Sequence, residues 1–194
     1  FYWQDYLGAN YAMYAVNYAR QYFKEYGGNE SELKLFVNDY GLEKSGSRKC
    51  ERLIEMIQQW ESEDIIIDGI GTQMNLIYSL DPTLQEQYEE GILSMFRKLS
   101  DTNKLIRISG LTIKLQDQNG AVIETSDLTF TQQQSISEYY NFIIKKYFEI
   151  IPSEQRYGIS ITNPVDSSDS IGLWNSTYNR RYTYTGFADG LAGE

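Results

Sequence analysis

Ile65-Ile66-Ile67-Asp68-Gly69-Ile70-Gly71 is a β-branched run too short for a helix and typical of a strand buried on both faces. Helical patterns flank it. Leu53, Ile54, Ile57 and Trp60 recur at helical spacing before it, and Asp81-Pro82 opens a helix after it, with Pro82 at the first helical position. Tyr88, Ile92, Met95, Phe96 and Leu99 form the inward stripe of that second helix. A strand between two helices calls for parallel neighbours. Leu33-Lys34-Leu35-Phe36-Val37, Leu105-Ile106-Arg107-Ile108-Ser109 and Gly158-Ile159-Ser160-Ile161 supply three.

The remaining elements follow from the same patterning. Tyr11, Ala15, Tyr18, Ala19, Tyr22 and Tyr26 define a first helix closed by Gly27-Gly28. Thr129 with Gln132 forms a capping box ahead of a long helix carrying Ile136, Tyr140, Ile143, Ile144, Tyr147 and Ile151. Asn119-Gly120 between Thr112-Ile113-Lys114-Leu115 and Ala121-Val122-Ile123 predicts a hairpin with a type I′ turn. A short Tyr-rich segment with a terminal helical turn ends the chain. The fold class is α/β, with four parallel strands fitting an open sheet or half of an eight-stranded barrel. Polar residues cluster after the strands, at Asn38-Asp39-Tyr40, Thr72-Gln73-Met74-Asn75, Ser109 to Thr112, and Thr162-Asn163 with Asp166. Such carboxyl ends are where α/β sheets build their sites.

Composition narrows the chemistry. The 194 residues include no His, which removes Ser-His-Asp and Cys-His triads, His-ligated zinc and any His general base. A net charge of −10 leaves no basic footprint, so no nucleic acid is expected as a partner. No apolar run reaches the ~18 residues of a membrane-spanning helix. Cys50, the one cysteine, cannot form an intrachain disulfide. Aromatic residues reach 14%, suiting neutral ligands with flat apolar faces, sugars among them. No cofactor or metal is implied. The chain opens on Phe1 rather than Met, with no signal peptide before it, and is expected to be cut from a longer one.

The strand-end clusters resemble a known family. Leu35-Phe36-Val37-Asn38-Asp39-Tyr40-Gly41-Leu42-Glu43 resembles the fifth barrel strand of glycoside hydrolase family 10, the endo-1,4-β-xylanases. Ile67-Asp68-Gly69-Ile70-Gly71-Thr72-Gln73-Met74 is similar to its sixth strand, Leu105 to Ser109 to the seventh, and Tyr157-Gly158-Ile159 to the eighth. Gly172-Leu173-Trp174, Tyr178-Asn179-Arg180 and Tyr184 to Leu191 resemble the closing segment. The resemblance implies that residues 1–194 are the C-terminal half of a (β/α)8 barrel, strands five to eight with their helices. It further implies β-1,4-xylan or a related plant-wall polysaccharide as ligand, and a secreted, periplasmic or bacterial cell-surface setting.

Departures from the family pattern shape the functional expectation. The family's seventh strand ends Ser/Thr-Glu-Leu-Asp, with that Glu as nucleophile, whereas the aligned stretch here is Ser109-Gly110-Leu111-Thr112. The His that partners the nucleophile aligns with Asn75, and the sugar-stacking Trp of the eighth strand with Thr162. The acid/base Glu would lie before Phe1. Retaining hydrolysis needs two carboxyl groups about 5–5.5 Å apart, and this stretch supplies neither. The resemblance therefore implies no catalytic residue on this chain and at most a binding surface, with Asn38, Gln73, Asn75 and Trp174 as sugar contacts. The alternatives are part of an active xylanase using carboxylates elsewhere, and a structural remnant without ligand.

Each singled-out residue also has a plainer reading. Asn38 and Asp39 can cap the next loop, Gln73 can be a polar group satisfied in the barrel mouth, and Trp174 can plug the last loop. Gly69 and Gly71 are read as close packing rather than a phosphate loop. Trp60, Tyr11, Tyr18 and Tyr22 are read as core. Asp166 and Asp169 are read as a solvated turn rather than a Ca²⁺ loop. Asp117 and Glu124 are the nearby carboxylates that could stand in for the nucleophile. Half a barrel leaves two unpaired strand edges, so completion by a missing N-terminal half or as a homodimer is expected.

Overall fold

A computed structural model describes residues 2–193. The chain runs α1 (Tyr2–Leu7), α2 (Tyr11–Glu25), β1 (Phe36–Tyr40), α3 (Lys49–Glu61), β2 (Gly69–Ser79), α4 (Pro82–Ser100), β3 (Leu105–Gln116), α5 (Phe130–Ile150), β4 (Arg156–Ile161) and α6 (Tyr182–Ala192). All neighbouring strands pair in parallel, in the order β1-β2-β3-β4. Parallel order and sequence order coincide because each helix returns the chain to the next strand position.

Local signals place the helix starts. The Asp81 carboxylate accepts from the Thr83 and Leu84 amides with Pro82 at the first helical position. At α5, Thr129 accepts from the Gln132 amide, and the Gln132 side chain accepts from the Thr129 amide. Both arrangements satisfy amides that a helix leaves without intrahelical partners. One face of the sheet is then sealed by helices. Ile70 and Met74 of β2, and Ile106, Ile108, Leu111 and Ile113 of β3, are fully buried with Ile92 and Phe96 of α4 and Ile136, Ile143 and Ile144 of α5. Tyr147 is buried among them and donates its hydroxyl to the Ile106 carbonyl at 2.8 Å, which removes the cost of burying that polar group.

Several boundaries differ from the sequence reading. β1 starts at Phe36, so Asn38-Asp39-Tyr40 lie inside the strand instead of ending it. β2 starts at Gly69, so Ile65 and Ile67 are buried ahead of the strand while Ile66 is 60% exposed. β2 and β3 are longer than expected, and absorb Thr72 to Asn75 and Ser109 to Thr112. Pairing between the two long strands continues to Ser79 opposite Gln116, and that ladder rather than polarity sets where they stop. The Asn119-Gly120 hairpin shrinks to a Gln116–Val122 bridge. Only Gly120 has positive φ there, so the turn is not type I′, which needs it at both central residues. The terminal turn is an 11-residue helix, α6.

α2 corrects a second expectation. Only Ala12 and Val16 on it are buried, whereas Tyr18 is 54% exposed and Tyr22 is 50% exposed. Tyr11 is packed, edge-on to the buried Trp60, whose indole donates to the Ala9 carbonyl at 3.1 Å. The outer tyrosines Tyr18 and Tyr22 stack on each other, ring centroids 6.1 Å apart, and no described element packs over them. No helix among the described residues is long and apolar enough to cross a membrane.

α6 closes on α5 through small residues. Gly186 lies against the Ser137 backbone so closely that an added Cβ would collide with the Ser137 carbonyl oxygen, and the Gly186 amide donates to Ser137 Oγ at 3.2 Å. Backbone cannot swing aside as a side-chain tip can. Gly186→Ala is expected to lower stability by about 1–3 kcal/mol, the usual cost of overpacking. Urea unfolding followed by circular dichroism checks it, and an unchanged midpoint would contradict the packing described.

Candidate functional site

The face of the sheet opposite the helices is concave, and glycine makes it so. Gly69 and Gly71 project no side chain from β2, which lets Phe36 and Asn38 of β1 lie across it. A Cβ at Gly69 would collide with the Phe36 ring, and one at Gly71 with Asn38 Oδ1. Phe36 reaches over to touch Tyr157 at the start of β4, ring centroids 4.5 Å apart. Rings from the two edge strands therefore meet over Gly69 and form a floor. The close-packing reading of both glycines holds.

Above that floor the residues stack in layers set by strand register. Asn38, Gly71, Arg107 and Gly158 are paired neighbours across the four strands. Tyr40, Gln73 and Gly110 form the next layer, with Thr162 beside Gly110. Between the layers the pairing slips, Thr72 opposing Ile108 and Gln73 opposing Gly110. The extra residue is Ser109. Such a bulge puts two consecutive side-chain directions on one face. Sites built at Gly71 and Gly110 would touch Ser109 and Gln73 respectively, so both Ser109 and Gly110 belong to the concave side.

Three of the four expected contact residues come together here. Asn38, Gln73 and Asn75 occupy the concave face, with Asn75 exposed two residues beyond Gln73 on β2. Thr72 and Met74, which alternate with them, turn to the helices, where the Thr72 hydroxyl lies 3.6 Å from Met95 Sδ. Asp39 also turns away, and its carboxylate takes the Lys49 ammonium at 2.7 Å. The fourth residue, Trp174, is half-buried on the segment leading to α6, edge-on to Tyr184 at 5.5 Å with its backbone bridged to Val165 and Arg180. That is the loop-plug arrangement.

The remaining carboxylates have other employment. Asp117 lies seven residues past Gly110, about 23 Å along an extended strand. Its carboxylate accepts from the Ala121 and Asn119 amides, which hold its pKa below the usual value. Glu124 is exposed ahead of a single 3₁₀ turn. Asp166 is not a solvated turn residue, because it takes both Arg181 Nε at 3.0 Å and Nη2 at 2.5 Å and accepts from the Gly172 amide. Asp169 pairs with Lys114, whose hydrogen bond lowers its pKa. No group of three or more His, Cys, Asp or Glu among the described residues is arranged to hold a metal.

One concave residue, Arg107, escaped the sequence reading. Arg107 donates to Ser160 Oγ at 2.9 Å. The signal was present as a charge in the middle of Leu105-Ile106-Arg107-Ile108, which a strand buried on both faces would not carry. A cleft of about 370 Å³ opens beside Asn75, which lines it together with Glu43, Leu76, Tyr88 and Tyr139 among others. Burial there raises the Glu43 pKa, and its Oε2 has no hydrogen-bond partner.

The sequence matches the model of glycosyl hydrolase family 10 over residues 1–189. It is similar to endo-β-1,4-xylanase Xyn10C of Cellvibrio japonicus, 24% identical over 178 residues that cover 82% of this chain and 28% of that protein. The fold is similar to native xylanase 10C from Cellvibrio japonicus, with a TM-score of 0.72, 22% identity, and coverage of 91% of this chain and 39% of that one. It is also similar to endo-1,4-β-xylanase XylE of Penicillium canescens, with a TM-score of 0.75, 21% identity, and coverage of 99% and 55%. The chain thus spans under two thirds of the proteins it matches, and its parallel βα units correspond to part of a (β/α)8 barrel.

Glu43 makes the cleft pH-sensitive. Its folded pKa lies above the unfolded value, so the unfolded state releases the proton first and stability falls as pH rises from about 4.5 through the folded pKa. Glu43→Gln is expected to flatten that decline. Melting temperatures of both proteins between pH 4 and pH 7 check it, and parallel curves would contradict the assignment.

Proposed function

This chain belongs to glycosyl hydrolase family 10, and from that premise we propose that its concave face binds β-1,4-xylan or a related plant-wall polysaccharide without hydrolysing it. The observation that carries this reading is the layer Gln73–Gly110–Thr162. Where the family resemblance puts a nucleophilic Glu, Gly110 offers no side chain, and a Cβ there would sit 2.5 Å from Thr162 Oγ1 and 3.4 Å from Gln73 Cγ. The position lacks a carboxylate, and its neighbours crowd the space one would use. Without an attacking or charge-stabilising carboxylate, the anomeric carbon has no partner for a glycosyl-enzyme bond.

What remains suits recognition of hydroxyl groups. Asn38, Gln73 and Asn75 each present an amide that both donates and accepts, which matches a sugar hydroxyl. Asn75 stands where the family has a His, and it cannot carry charge. Trp174 anchors the final loop through its edge contact with Tyr184 and the flanking backbone bridges, and as a half-buried ring it remains the fourth candidate sugar contact.

On this reading residues 1–194 are the C-terminal half of a barrel. A missing N-terminal half or a second copy pairs the exposed edges of β1 and β4 and covers the outer tyrosines of α2. The family resemblance sets the protein in a secreted, periplasmic or bacterial cell-surface location. A second reading follows from coverage: the chain spans 28% of Xyn10C, so other parts of its parent could carry carboxylates and hydrolyse xylan.

Affinity electrophoresis in xylan-loaded gel tests binding. The protein is expected to be retarded, and Gln73→Ala to migrate several-fold closer to its position in a xylan-free gel. Unretarded migration would leave a structural remnant. Reducing-sugar release from xylan by the full-length parent tests the other half of the proposal, with release above a buffer blank overturning it.

A further inference from the structure

Two residues of one cleft each bury an oxygen that has no hydrogen-bond partner. The cleft of about 370 Å³ is lined by Glu43 and Ser45 of the β1–α3 loop, Leu76 of β2, Tyr88 and Ile92 of α4 and Tyr139 of α5, among others. Tyr139 is only 2% exposed and its hydroxyl is unpartnered, and Glu43 Oε2 is buried and likewise without a partner. The nearby Gln85 amide is committed to the Ser79 amide at 2.9 Å and to Glu89 at 2.8 Å. Such orphans are rare in native proteins and cost free energy until something pairs with them. None of the lining residues belongs to the edge strands β1 and β4, so the walls are set by the middle of the sheet and its helices.

The groups around the cleft make it a place for positive charge. The Glu43 carbonyl lies so close to Gly91 of α4 that a Cβ there would collide with it, which fixes where the Glu43 side chain starts. Burial raises the Glu43 pKa and outweighs the opposing pull of Lys44 and Lys49. Neither lysine pairs with it, since Lys49 takes Asp39, and Lys44 is exposed with its stem over Gly41. On the α3 side, Lys98 pairs with Glu51 and Arg48 with Glu55, and burial pushes the Cys50 thiol up to about 11, which keeps it neutral. Tyr139 is harder to ionise than an ordinary tyrosine, through burial first and then through the charges of Glu89 and Glu43. Those carboxylates make the potential at its hydroxyl negative. The chain's net charge of −10 adds a long-range attraction of the same sign.

An ammonium group answers each of these features. It donates three hydrogen bonds and accepts none, and both orphans are oxygens able to accept. Leu76 and Ile92 offer an apolar wall to an alkyl body, and the rings of Tyr88 and Tyr139 attract cations. A cavity of this size takes a small molecule. We propose that the cleft binds a small primary amine in its ammonium form, with Glu43 and Tyr139 as acceptors and the alkyl body against Leu76 and Ile92. A neutral alcohol of the same shape would leave Glu43 without a counter-charge. The inference does not depend on polysaccharide binding by the concave face.

Titration of isotope-labelled protein with n-butylamine and with n-butanol at pH 7, followed by amide NMR shifts, tests it. The amine is expected to saturate a site that includes the amides of Ser45, Leu76 and Tyr88, and to bind about tenfold or more tightly than the alcohol. Its affinity is expected to fall as pH drops through the folded pKa of Glu43, because protonation removes the charge that the ammonium meets. Glu43→Gln is expected to abolish the preference for the amine, and Tyr139→Phe to weaken amine binding several-fold. The full-length parent is expected to keep the site. Equal affinities for the two probes, binding of neither, or shifts spread over the surface carboxylates without saturation overturn the inference, as does loss of the site in the full-length parent. The wild-type comparison of amine with alcohol decides the matter even where a variant fails to fold.

Discussion

The absence of side chains at Gly69 and Gly71 is the constraint from which the concave face follows. With nothing projecting from β2 at those positions, Phe36 and Asn38 lean across the strand, and Phe36 meets Tyr157 from the far edge. Side chains in their place would push the Phe36 ring and the Asn38 amide aside and part the rings. The curl also explains why the two faces of one sheet differ so sharply. The outer face packs apolar side chains to full burial against α4 and α5, and the inner face keeps half-open layers of amide, hydroxyl and guanidinium groups.

The bulge at Ser109 is the second determinant of the site. Strict alternation along β3 would send one of Ser109 and Gly110 to the helices. The slip keeps both on the concave side, and re-phases the strand so that Leu111 and Ile113 return to the core. One irregular residue thereby serves both faces. The layer of Gln73, Gly110 and Thr162 is neutral, and the layer beneath it holds Arg107. Asp39, Asp166 and Asp169 are committed to ion pairs, and Asp117 to turn amides.

Much of the architecture was legible in the sequence. The stripes Ile92, Met95, Phe96, Leu99 and Ile136, Tyr140, Ile143, Ile144, Tyr147 are buried as their spacing requires. The Thr129–Gln132 box and the Asp81-Pro82 start are present in atomic detail. Strand limits were not legible, because polarity marks the end of a strand only when both faces are buried. On a sheet with one open face, Asn38, Gln73 and Asn75 are strand residues whose polarity reports which side they face. The outer tyrosines of α2 misled for a related reason. Their periodicity is that of a buried face, yet Tyr18 and Tyr22 are half-exposed, because no described element packs over them.

Hydrophobic periodicity and capping residues determined on their own that this chain alternates helices with parallel strands, since those signals act within a few residues of one another. The family-like motifs picked out Asn38, Gln73, Asn75 and Gly110, though as strand-end residues, whereas all four lie inside their strands. Only the tertiary structure decided that the first three share one concave surface, that Trp174 meets Tyr184 edge-on, and that Arg107 lies between two glycines with Ser160 as hydrogen-bond partner. Those facts depend on register and on a one-residue slip, and the energies that settle them come from contacts between strands far apart in the chain.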